Sequence, residues 1–409
     1  MDFNFTEEQS ALQDTLRRFI AKDYGFEQRR QLAKSEPGFS RDTWKQFADL
    51  GWLALPFPEE FGGMGGNAVD TMIVMEAFGR GLVLEPYLST VVLCGSLVRD
   101  SGSPAQKETI LPAIAGGELL MALAHYEPGT RYELNHVQTT ARRHGAGWII
   151  DGAKSVVLGA PSADRLIVSA RTSGGARDDA GVCLFLVERN AAGVALRAYA
   201  TQDGQRAAEI TFTRVKVGAQ ALLGEVEADT LPGVQGQGLA ALARALDYGI
   251  AALCAQAVGA MAALIEATLG YLKTRRQFGQ PIGKFQALQH RMADMLIAAE
   301  QARSMMYLAC VKADSPDAAE RSRAVSAAKA YIGQSARFVG QQAVQLHGGM
   351  GVTDELNVSH YFKRLTMINA TFGDADHHLG RFSDSLLVGR ASARLDAPHV
   401  GLKPDLRGA

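Results

Sequence analysis

The run GIAALCAQAVGAMAALIEATLGYL, beginning at Gly249, restricts the fold more than any other part of this chain. It looks long and apolar enough to cross a membrane, but Gln256 and Glu266 interrupt it, and Ala and Gly outnumber Leu and Ile. A span requires about 20 predominantly apolar residues, so the run is expected to be a helix buried inside a bundle. A chain of 409 residues, 47% hydrophobic and 21% charged, is long enough for two or three globular domains around such a bundle. The net charge of -1, with acids and bases interspersed, leaves no electrostatic footprint for nucleic acid and no polybasic segment for a membrane surface. Small molecules or other proteins are the expected partners. Cys94, Cys183, Cys254 and Cys310 are scattered in apolar surroundings without metal-ligand spacing, and read as reduced core thiols of a cytoplasmic protein.

Three zones divide the chain. The N-terminus shows no basic region followed by an apolar core, so no signal peptide is expected. Instead, Thr6 and Gln9 have capping-box spacing, and Leu12, Leu16 and Phe19 follow as a helical stripe. Helical patterns and turns continue to residue 120. Among them is the loop LPFPEEFGGMGGN from Leu55, which reads as a connector because no GK[ST] follows it and no buried strand precedes it. From 121 to 230 come β-branched runs, WIIDGAKSVV, DRLIVSA, VCLFLV and AEITFTRVKV, expected to form a small antiparallel barrel or sandwich. ADTLPGVQGQG from Ala228 is a linker by its Pro and Gly content. Residues 231–395 then carry four or more long helices, and 396–409 form a tail.

Two segments have the chemistry of an anion and ring grip. In TRRQFGQPIGKFQ from Thr274, Arg275 offers a planar fork suited to phosphate. Phe278, expected one helical turn on, can cover a flat ring, and Gly279 with Pro281 should end that helix. In QLHGGMG from Gln345, Gly348, Gly349 and Gly351 let the backbone approach a ligand closely, and Gln345 can both donate and accept. The same glycines would equally serve as a helix stop.

The order helical, β, helical, with FTEEQ, GW, WxIxGxK, LDxG, RxQFG and QxxGGxG in sequence, resembles the acyl-CoA dehydrogenase family over nearly the whole chain. The resemblance implies an α+β multidomain fold with an N-terminal helical domain, a central antiparallel β-barrel and a C-terminal four-helix bundle. It also implies FAD as cofactor, α,β-dehydrogenation of an acyl-CoA substrate and an electron-transfer flavoprotein or similar acceptor, the alternatives being a non-catalytic partner subunit or a flavin oxidase or monooxygenase of the same fold. Assembly would be a homo- or heterotetramer, a dimer of dimers with itself or with a second acyl-CoA dehydrogenase chain. Gln345, Gly348 and Gly349 would meet the FAD pyrophosphate and adenosine, delivered partly by Arg275 and Phe278 of a second subunit. In the β domain the family's YxxTEP strand corresponds to LAHYEP from Leu123, where Tyr126 replaces a small hydroxyl residue. The family's WIT triplet corresponds to Val156, Val157 and Leu158. Backbone N–H groups of His125 and Leu158 could still serve the flavin, because a main-chain donor does not depend on residue type.

Dehydrogenation of an acyl thioester needs a carboxylate to take the α-proton. By resemblance that Glu would stand where this chain has Phe372, or in some members where it has Gly249. Asp374, next in MINATFGDADHHLGRF, is read either as a displaced base or as the N-cap of the following helix. Asp247, in RALDYG, either lines the acyl-CoA cleft or is a solvated charge near a helix start. DADHH is a poor metal cluster, because adjacent His residues on a helix point about 100° apart. The FGDADHH segment resembles that of small subunits of heteromeric bacterial acyl-CoA dehydrogenases such as pimeloyl-CoA dehydrogenase, which implies bulky or carboxylated acyl groups.

Overall fold

Helix α1 (Glu7–Asp23) starts at the predicted capping box, Thr6 Oγ1 accepting from Gln9 N while the Gln9 side chain accepts from Thr6 N. The computed structural model describes residues 4–224 and 237–395, with side chains to 387. The remaining N-terminal helices are α2 (Phe26–Lys34), α3 (Arg41–Asp49), α4 (Ala68–Gly81), α5 (Ser96–Ser101) and α6 (Pro104–Ala115), with a π-helical stretch, Leu88–Gly95, leading into α5. Aromatic rings tie them together, Phe47 lying 4.9 Å from Phe78 and 5.1 Å from Trp52.

Seven strands follow among the described residues: β1 (Met121–Ala124), β2 (Thr140–His144), β3 (Gly147–Leu158), β4 (Arg165–Arg171), β5 (Val182–Glu188), β6 (Val194–Ala200) and β7 (Arg206–Val217). Their order is β1-β4-β2-β3-β7-β6, with β5 along the other side of β4. The expectation of a purely antiparallel barrel is corrected in one respect: β1 pairs with β4 in parallel, and β2 meets β4 in parallel at Thr140 and Arg171. The two share one edge of β4 while β5 runs antiparallel along the other. Trp148, Ile150, Phe185 and Phe212 fill the interior.

The linker expected from Ala228 lies outside the described residues, apart from Gln237 and Gly238, which open α7 (Gln237–Thr274). A two-strand hairpin, β8 (Arg276–Gln277) and β9 (Gln280–Pro281), leads to α8 (Gln286–Ala313), α9 (Ala318–His347), α10 (Asn357–Ala370) and α11 (Ala375–Leu395). The tail from 396 is likewise outside the described residues. Among the described residues five α-helices form this zone, α9 packing against the other four. As expected from its composition, the apolar run of α7 is buried within the protein. Helices α4 and α7 cross with their backbones in contact: a Cβ on Gly79 would stand 2.0 Å from Gln256 O, and one on Gly259 would stand 1.9 Å from Glu76 O. Only glycine fits at either position. Buried Arg364 joins the C-terminal helices to the sheet through Asp203 at 2.7 Å, and Arg29 of α2 donates to Asp203 O from the other side.

Candidate functional site

The two sequence segments singled out as a cofactor grip are neighbours within one chain. Helix α7 stops at Thr274, so Phe278 does not lie one helical turn beyond Arg275, as the sequence suggested. It sits at the tip of the β8–β9 hairpin with φ +51° and 92% exposure. The hairpin is closed by Ile282 N donating to Arg275 O at 2.8 Å. Arg275 is exposed, and among the described residues its guanidinium makes no hydrogen bond or ion pair. Helix α9 ends at His347. Gln345 in its last turn is exposed, and Gly348 (φ +60°) and Gly349 follow. A Cβ built on Gly279, Gly348 or Gly349 would meet nothing within 4 Å, so these backbones border open space. A free cation, a bare aromatic ring and an open glycine turn fit the phosphate and adenosine end of FAD.

The sheet end of the site differs. His125 and Tyr126 follow β1, and Tyr126 O accepts from Ser155 N at 2.9 Å beside the bulge in β3. At that bulge Val156 has φ +50° and is 47% exposed, and Leu158 closes the strand. The rings of His125 and Tyr126 lie 3.9 Å apart, and Phe372, buried at φ +59°, stands 5.7 Å from His125 and 6.4 Å from Tyr126. A flat group held between two rings needs a contact of about 3.5 Å on each face, hence about 7 Å between them. The His125–Phe372 gap is smaller. In this arrangement the residues do not fit a flavin ring or a thioester layered between position 372 and the end of β1, although the outer turns fit the rest of FAD. Among the described residues neither nitrogen of the buried His125 ring has a hydrogen-bond partner.

Neither family base position carries a carboxylate, and the two are adjacent: a Cβ on Gly249 would lie 3.7 Å from Phe372 Cε2. Asp374 takes the capping role. Its Oδ1 accepts from His377 N at 2.9 Å, and that bond is the chief reason its pKa lies below the usual carboxylate value. Oδ2 faces Arg131 at 3.4 Å and Tyr132 Oη at 3.5 Å, and Tyr132 also donates to Ala370 O at 3.2 Å. Arg131 and Tyr132, which sequence reasoning did not single out, thus bridge the β domain to the turn before α11. Asp247 is not a solvated helix-start charge. It lies within α7, 2% exposed, with Oδ2 3.3 Å from Arg321 and Oδ1 2.9 Å from Arg381. These arginines enclose it at the wall of a cavity of about 620 Å³.

A second group that the sequence did not flag is Lys154, the last letter of WxIxGxK. Its ammonium lies 2.7 Å from Glu127 Oε1 and 2.9 Å from Ser169 Oγ, entirely buried. Glu127 also accepts from Gln138 N and Thr139 N. Among the described residues no group of three or more His, Cys, Asp and Glu is placed to hold a metal. His378 hydrogen-bonds to Phe372 O and Ser326 Oγ instead.

Burial, with nearby Lys154 for His125 and Lys329 for His378, pushes both imidazoles down to about 3. The unfolded chain therefore binds protons from about pH 6.5 downward that the folded chain refuses until about pH 3. The contribution of the two imidazoles should be full above pH 6.5 and fall on acidification by about 1.4 kcal/mol per pH unit for each ring. Glu127 and Asp374, held below their ordinary values, add to the loss below about pH 4.5. Denaturant midpoints measured from pH 7.5 to 5 should decline, and a flat profile would remove the buried imidazoles from the account.

Three domain profiles match in order: the acyl-CoA dehydrogenase N-terminal domain over residues 6–118, the middle domain over 122–216 and the C-terminal domain over 236–387. The L-prolyl-[peptidyl-carrier protein] dehydrogenase of a Serratia species is 31% identical over 365 residues, 88% of this chain and 91% of that one. Two solved structures are similar throughout. The FAD complex of PigA superposes with a TM-score of 0.85 at 28% identity, covering 95% of this chain and 100% of the other. The ChsE4-ChsE5 complex from Mycobacterium tuberculosis gives 0.83 at 26%, covering 95% and 99%. By its three domains and their order, the chain belongs to the acyl-CoA dehydrogenase family, FAD-dependent oxidoreductases acting on CH–CH bonds.

Proposed function

We infer that this chain is one subunit of a heteromeric acyl-CoA dehydrogenase: it lends its FAD-gripping turns to a flavin whose reactive ring sits in a catalytic partner chain. The observation that carries this is the meeting of Phe372 and Gly249, the two positions where a base would stand, with an aromatic ring and no carboxylate between them. The match to a two-chain complex supports it. The assembly would remove the α-proton of an acyl-CoA to a carboxylate of the partner and yield the trans-2-enoyl thioester. FAD, when bound, supplies the acceptor for the β-hydrogen as hydride, and an electron-transfer flavoprotein would reoxidise it. On this chain, Arg275 would hold the pyrophosphate, Phe278 would cover the adenosine side, and the Gln345–Gly349 turn would bring main-chain N–H groups close. A bulky or carboxylated acyl group is the substrate class proposed.

Co-purification with an acyl-CoA dehydrogenase partner should give an assembly with a single FAD per pair of unlike chains. Arg275→Ala in this chain should weaken FAD binding about 10- to 100-fold, the effect of losing charge-assisted hydrogen bonds. A homo-oligomer holding one FAD per chain, reduced by acyl-CoA without any partner, would overturn the reading.

A further inference from the structure

We propose that Tyr271 and His347 form a positioning clamp that fixes the Arg275–Phe278 turn against the Gln345–Gly349 turn, so that both present to one FAD at the same time. The proposal rests on the assignment of those turns to FAD and says how they are held. Tyr271 lies one helical turn before Arg275, whose N–H donates to Tyr271 O at 2.8 Å. Its ring stacks on that of His347 with centroids 4.4 Å apart and planes 28° from parallel. The contact joins the last turn of α7 to the last residue of α9, so the ends of the two helices cannot separate without losing it.

His347 is itself held from two further directions. Its Nδ1–H donates to Ala343 O at 2.8 Å, which fixes the ring against its own helix. On another side the chain folds back at Gly351, where a Cβ would stand 3.1 Å from His347 Cβ and 2.7 Å from Val344 O. Only glycine allows that approach. Next to this tightly packed residue, Gly348 and Gly349 face open space. A rigid support directly behind an open cradle is the arrangement that limits the entropy lost when a ligand binds. Neither ring is among the groups assigned to contact FAD, so the pair acts through Arg275 and the glycine turn.

The test is a binding cycle on the assembled two-chain protein, with FAD affinity read by flavin fluorescence and folding checked by the thermal midpoint of the apo form. Tyr271→Leu, which removes the ring, should weaken FAD binding about 5- to 10-fold, in line with the strength of an aromatic pair. Tyr271→Phe, which keeps it, should stay within about twofold of the parent. His347→Gln should match Tyr271→Leu, and it serves as the second probe where the Leu variant folds poorly. Because part of the clamp's effect passes through Arg275 and part through the glycine turn, Tyr271→Leu added to Arg275→Ala should cost less than Tyr271→Leu costs alone. Parental affinity in both ring-removing variants, or losses that multiply in the double variant, would overturn the clamp; a Phe variant as weak as Leu would overturn ring stacking as its basis, since only the Tyr271 hydroxyl, which donates to His347 O at 3.5 Å, is then lost. Unchanged FAD binding in Arg275→Ala alone would instead overturn the assignment of these turns to FAD, and the clamp with it.

Discussion

The isolated chain, supplied with FAD and an acyl-CoA, should form enoyl product at least about 10²- to 10⁴-fold more slowly than the two-chain assembly, the span that a positioned general base alone contributes, because the partner also seats the flavin ring. The reason is local. A base for the α-proton must be a carboxylate whose pKa is raised by a dry pocket. Phe372 and Gly249 provide none, and Asp374, the acid nearest Phe372 in sequence, is shifted the other way. The His377 N–H stabilises its charged form, with Arg131 contributing further. Asp374→Asn should therefore leave the assembly's rate of anaerobic flavin reduction within about twofold, since Asn caps a helix about as well as Asp. A fall of a hundredfold with FAD content intact would give the base role back to Asp374. Rapid turnover by the chain alone would require a base within it.

A second large effect is expected far from any ligand. Lys154→Met should lower the free energy of unfolding by about 3–5 kcal/mol, read from the denaturant midpoint, because it leaves Glu127 charged and buried without its cation. The carboxylate would keep its bonds from Gln138 N and Thr139 N, but these dipoles do not replace a full charge. The pair spans the start of the sheet, tying the segment after β1 to β3, so the loss should also loosen His125 and Tyr126. A cost below about 1 kcal/mol would mean that water reaches the site and screens the pair.

Sequence patterns exposed most of the architecture, because the informative signals were local. The Thr6 capping box, the β-branched runs and the Ala- and Gly-rich run after Gly249 each report on neighbours a few residues away. Long-range contacts account for what they missed. Asp247 reads from sequence as either a cleft-lining acid or a solvated charge, with no sign of its ion pairs, because its two arginines lie 74 and 134 residues downstream. The parallel pairing of β1 was hidden in MALA, a short run buried on both faces with no alternation to read. Phe278 was placed on a helix because nothing between Thr274 and Gly279 announces a stop; the end of α7 becomes visible only when the hairpin is seen to pair. The site divides in the same way. Arg275, Phe278 and the glycines were legible because their chemistry resides in residue type, whereas the closure of the inner chamber depends on how Phe372 meets His125 across domains.

The glycine crossing of α4 and α7 bears on how the protein is made. Helix α4 is buried nearly all round, and the backbone that covers Gly79 belongs to residues near Gln256. While the ribosome is still adding the sheet, α4 can pack against α1 and the aromatic rings of the N-terminal helices, but the face that meets α7 stays exposed until α7 emerges. Non-local closure of this kind is slow, and the unclosed surface favours aggregation. A nascent chain stalled after β7 would hold its N-terminal helices unfinished, so this helical domain is completed late in synthesis although it is translated first.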